Sequence, residues 1–199
     1  MSPSQTARVA SYLLAGAAVA LLLTGPAHAG SSTESHADAR KDLVTRDQSS
    51  DAPPSKPDPS RRLGDITTNE VAYGTDLVVT TRFLNLQNTG HQEFHWSIRT
   101  SGDDDAWDAS YVINPGQAKG HFTLLDPIAN QPRCGGVTLD RPKRLVTLTI
   151  PASCLGSPVW VRVGNGVVFL VGSREYHDDA RLDGIVRNAW KYGPKLVAG

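Results

Sequence analysis

The 199 residues include only two cysteines, Cys134 and Cys154, and a single methionine, Met1. Two thiolates cannot complete a tetrahedral zinc site. Neither sign of charge dominates, because 20 Lys and Arg balance 20 Asp and Glu. Nucleic-acid binding needs a clustered positive field, so that class is excluded. The longest block of like charge is Asp103-Asp104-Asp105, which leaves no polybasic patch for a membrane surface. No apolar run approaches the ~20 residues that span a bilayer. The motifs G-x-S-x-G, H-E-x-x-H and S-x-x-K are missing, so no nucleophile or metalloprotease signature points to an enzyme.

What is present begins with a targeting pattern over residues 1–29. Arg8 supplies a positive start, Leu13 to Leu23 an apolar stretch, and Pro26-Ala27-His28-Ala29 a small-x-small cleavage site after Ala29. No Cys follows the apolar stretch and no twin-Arg pair precedes it, so secretion by the general route is expected, with no lipid anchor. The cysteines agree, since an even number in an oxidising compartment predicts a Cys134–Cys154 disulfide. Its loop of about 20 residues would contribute roughly 3 kcal/mol.

Residues 30–62 are rich in Ser, Asp, Arg and Pro, with Leu43 and Val44 nearly alone as large apolar side chains. Composition predicts a disordered tether there. From residue 63 to 199 the period becomes that of strands. Leu77, Val79, Thr81 and Phe83 share one face of DLVVTTRFLNLQ, and Phe94, Trp96 and Ile98 share one face of the segment from His91 to Thr100. Arg144 to Pro151 is β-rich. The flanks of Gly164-Asn165-Gly166 read as two buried strands joined by a Gly-rich turn. About eight or nine strands without an internal helical pattern predict an all-β, antiparallel, jelly-roll-like β-sandwich. Near the end, Leu182, Ile185, Val186 and Ala189 recur at helical spacing. A short helix, or an irregular strap carrying Trp190 and Tyr192, fits equally.

Several constellations carry candidate chemistry. His91, Glu93 and His95 lie on one strand face, where they could ligate a transition metal or form an ordinary solvated face. The loop Asp103-Asp104-Asp105-Ala106-Trp107-Asp108 has the carboxylates of a Ca²⁺ site but neither the turn Gly nor the distal Glu of an EF-hand, and reads equally as a hairpin tip. Asp65 before the first strand and Asp178-Asp179 after the last could hold a structural Ca²⁺, or cap turns. Trp107, in an acidic loop, and Trp160, on the same face as Arg162, could stack on a sugar ring; packing is the alternative.

The chain from Gly64 onward also resembles a group of secreted actinobacterial proteins of unknown function. The resemblance rests on Gly64-Asp65-Ile66, Asp76-Leu77-Val78-Val79, Cys134, the run from Pro151 through Cys154-Leu155-Gly156-Ser157-Pro158-Val159-Trp160-Val161-Arg162-Val163, Asp178-Asp179-Ala180-Arg181 and Gly193-Pro194-Lys195. The layout is distantly similar to DOMON and carbohydrate-binding modules. This resemblance implies a sandwich and assigns no catalytic residue. The expectation is a secreted, non-catalytic binding module for an extracellular ligand such as a cell-envelope glycan. An extracellular hydrolase with a cryptic site, or a structural or protein-interaction domain, are the alternatives.

Overall fold

The computed structural model describes residues 31–47, 56–86, 90–128, 130–182 and 190–199. The targeting pattern over residues 1–29 lies outside them, as do Ile185, Val186 and Ala189 of the helical spacing.

The expected antiparallel β-sandwich is the observed architecture. One sheet runs β1 (Ser32–Ala37), β4 (Ile66–Tyr73), β5 (Asp76–Phe83), β10 (Leu145–Pro151) and β9 (Gly136–Asp140). The other runs β3 (Lys56–Pro57), β2 (Val44–Asp47), β12 (Arg174–Asp179), β11 (Trp160–Val171), β6 (His91–Thr100), β7 (Trp107–Ile113) and β8 (His121–Leu125). A last short strand, β13 (Leu196–Val197), pairs with the start of β11. Among the described residues no helix is long and apolar enough to cross a membrane.

Period-two alternation decides which side chains meet between the sheets. Leu77, Val79, Thr81 and Phe83 of β5 are all buried, as are Phe94, Trp96 and Ile98 of β6. They face Val161, Val163, Val167 and Phe169 of β11 and Val146, Leu148 and Ile150 of β10 in one continuous core. Phe94 meets Phe83 of the opposite sheet edge-on at 5.8 Å between centroids, and Phe169 at 6.0 Å. Such ring pairs add ~1 kcal/mol to area burial. Cys134 and Cys154 are joined, fastening the lead into β9 to the 3-10 turn Ala152–Leu155 that follows β10.

Two expectations need correction. The stretch 30–62, read as a disordered tether, supplies three strands from its described residues. Six residues of β1 pair with β4, and β2 pairs with β12. Leu43 and Val44 are buried, Arg46 and Arg181 form ion pairs with Glu175 and Glu34, and the Asp38 N–H donates to Thr67 O. Composition misleads because these strands take their order from distant partners rather than from a face of their own. Among the described residues thirteen strands form, three of them from this stretch.

Gly164-Asn165-Gly166 is also not a turn. It lies inside β11, and the hairpin closes at Gly172-Ser173, with Val171 opposite Arg174. The glycines serve close packing instead. A Cβ on Gly164 would sit 3.0 Å from Trp190 Cβ, and one on Gly166 would sit 2.6 Å from Asp178 O. Asn165 points inward, where its Nδ2 donates to Thr81 Oγ1 (3.2 Å), which donates to Asn69 Oδ1 (3.0 Å). This buried polar chain ties the two sheets together.

Candidate functional site

Where β6 ends and β11 begins, the register places Val161 opposite Thr100, so Trp160 extends beside Ser101. The Val159 N–H donates to Ser101 Oγ at 2.8 Å and fixes this junction. A groove of about 340 Å³ opens here, lined by Arg99, Ser101, Asp103, Asp104 and Trp160 among others. The acidic loop is held by its own contacts. Asp103 Oδ2 accepts from Thr100 Oγ1 (3.1 Å) and from Trp107 Nε1 (2.9 Å). Trp107 is therefore half-buried, its ring against the core and its N–H spent on Asp103.

Trp160 is also half-buried, and Lys195 Nζ stands 4.2 Å from its ring centroid. Strand alternation puts Trp160 and Arg162 on the same outward face, as expected. Arg162, however, turns to the carboxyl-terminal segment. Its Nε donates to Gly193 O at 2.8 Å, and its guanidinium lies 5.8 Å from the Tyr192 ring. Tyr192 is further held by Arg99 at 4.9 Å and by a 2.8 Å hydrogen bond with Ser97. Trp190 and Tyr192 thus behave as the strap, and Arg162 anchors it. An aromatic ring with Lys195 over one face, and with a hydroxyl, two carboxylates and Arg99 beside it, can hold on its other face a ligand that has both an apolar face and a polar edge.

No family model matches this chain, and no curated protein or solved structure matches it.

His91, Glu93 and His95 do project together from β6, but they satisfy one another. Both imidazoles approach Glu93, His95 Nε2 at 3.0 Å from Oε2 and His91 through Nε2 to Oε1. Burial pushes the Glu93 carboxyl up, and the two histidines outweigh it and hold it below its ordinary value. Across β11, His177 and Arg46 engage Glu175 in the same manner.

The Asp residues divide differently from the sequence reading. Asp65 and Asp178 come together, Asp178 Oδ2 accepting the Ile66 N–H at 2.6 Å. Asp179 does not join them, because consecutive residues of a strand point to opposite faces. It lies on the strap side, where its Oδ1 accepts the Arg181 N–H at 3.0 Å. In its place stand Asp38 and Asp42, from the connection between β1 and β2. Nothing in the sequence isolates this pair, since Arg40 and Lys41 lie between them in a stretch whose composition reads as tether. The only local hint is the apolar pair Leu43-Val44 that follows.

Proposed function

We propose that the protein is an exported, non-catalytic binding module and that the groove beside Trp160 takes a saccharide, such as a glycan of the cell envelope. The observation that carries this reading is the half-exposed Trp160 ring set among Ser101, Asp104, Arg99 and Lys195. A pyranose has an apolar face that stacks on such a ring, and hydroxyls that reach donors and acceptors at its rim. Trp107 supports the loop through Asp103 and is not itself a platform. Arg162 acts at one remove, by holding Tyr192 and the strap. The Cys134–Cys154 bond fits an oxidising compartment and hence export.

The test is binding of the full chain to a broad glycan array and to isolated cell-wall polysaccharide. Trp160→Ala should weaken binding about tenfold or more, and Trp160→Phe less, with circular dichroism unchanged. An array without any hit, or equal binding by Trp160→Ala, would overturn the assignment.

A further inference from the structure

Beside the β1–β2 connection three carboxylates from two separate parts of the chain converge, and a fourth, Asp65, lies next to them. Asp38 and Asp42 come from the β1–β2 connection, Asp178 from β12, and Asp65 from the residue before β4. One oxygen each of Asp38, Asp42 and Asp178 lie within 4.8 Å of one another. Two ligands of one Ca²⁺ stand at most about 5 Å apart, given bonds of roughly 2.3 to 2.6 Å.

Asp65 lies beside these three, its Oδ2 tied to the same connection. It has no exposed surface. Its Oδ2 accepts the Lys41 N–H at 3.0 Å, but its Oδ1 is buried without a hydrogen-bond partner. The carboxylate feels the charge of Asp42, and Asp178 feels that of Asp38, Asp42 and Asp65. A buried Asp65 oxygen without a hydrogen-bond partner, next to three converging carboxylates, calls for a proton or for a cation.

We propose that Asp38, Asp42 and Asp178, with the buried carboxylate of Asp65 beside them, form a structural Ca²⁺ site that pins the β1–β2 crossing to both sheets. The donors are all carboxylate oxygens, which favours a hard cation over zinc or copper. Mg²⁺ demands a near-ideal octahedron and gives up water reluctantly, so Ca²⁺ fits a site built from three chain segments better. The site lies apart from the Trp160 groove and does not depend on the saccharide reading.

The experiment uses the full chain, first stripped with chelator. Titration calorimetry with CaCl2 should show one site. The Tm at pH 7.5 should rise by about 5 °C or more between EDTA and about 5 mM Ca²⁺, with a smaller rise for Mg²⁺. Asp65→Asn and Asp178→Asn should each weaken Ca²⁺ binding at least about tenfold, and Asp179→Asn, on the other face, should leave it unchanged. Should either variant fail to fold, the wild-type heat and the Tm shift decide alone. No heat and one Tm in EDTA and in Ca²⁺ would overturn the site, as would undiminished binding by a folded Asp65→Asn; the cluster then holds protons instead.

Discussion

Between β5 and β11 the sheets meet through Leu77, Val79, Val163 and Phe169, none more than 2% exposed. Near the β1–β2 connection they meet through Asp38, Asp65 and Asp178, none more than 7% exposed. Depth of burial is similar, but the physics is opposite. In the first region every buried atom gains from leaving water, at about 25 cal/mol per Å². In the second every buried oxygen loses hydration and must recover it from a hydrogen bond, a proton or an ion. One region stabilises the fold under any conditions that keep water out. The other stabilises it conditionally, and it is there that the environment of the protein can act on its structure.

The largest test of this contrast is Phe94→Ala. Phe94 bridges the sheets through Phe83 and packs on Phe169 of its own sheet, so its loss should cost about 3 to 5 kcal/mol in urea unfolding, with or without Ca²⁺. A cost that shifts strongly with Ca²⁺ would show that the two regions are not independent.

Leu43→Ala should follow, at about 2 to 4 kcal/mol. Leu43 has no exposed surface, though it sits between Asp42 and β2 in the stretch that composition marks as a tether. A tether residue would cost almost nothing. A change below about 0.5 kcal/mol would detach residues 31–47 from the cooperative unit and leave the core to stand alone.

The same contrast explains what could be read in advance. The alternation of Leu77, Val79 and Phe83, and of Phe94, Trp96 and Ile98, predicts strands and their inward faces because burial there is a property of each local segment. The cysteine pair is legible by count. The sequence of β1, Ser-Thr-Glu-Ser-His-Ala, has no apolar face to announce a strand, since it is an edge strand defined by its pairing with β4. Gly164 and Gly166 signal a turn in isolation, and only the distant Trp190 reveals why they are small. For the acidic cluster, Asp65 and Asp178 stand out as flanks of strands, but Asp38 and Asp42 reach them only through the crossing. Trp160 and Arg162 are correctly placed on one face by alternation. That Arg162 spends itself on Gly193 depends on where the chain returns thirty-one residues later.

The smallest effect separates Asp178 from its neighbour. Asp179 is 8% exposed and lies outside the group of Asp38, Asp42 and Asp178. Burial raises its carboxyl from 3.8 to about 6, against the Arg181 N–H and the charges of Arg181 and Lys191, which lower it. The folded chain therefore holds this proton more tightly than the unfolded chain does. Stability from this residue is fully present below about pH 4, declines as pH rises toward 6, and levels off above that. Asp179→Asn keeps the Oδ1 that accepts from Arg181 and removes the charge. At pH 7.5 the variant should be more stable by about 1 to 3 kcal/mol, and at pH 4 indistinguishable from the parent. Urea midpoints across that range measure it directly. An unaltered slope between pH 4 and 6 would mean that the strap leaves Asp179 well hydrated, and that buried carboxylate cost is confined to the cluster around Asp178.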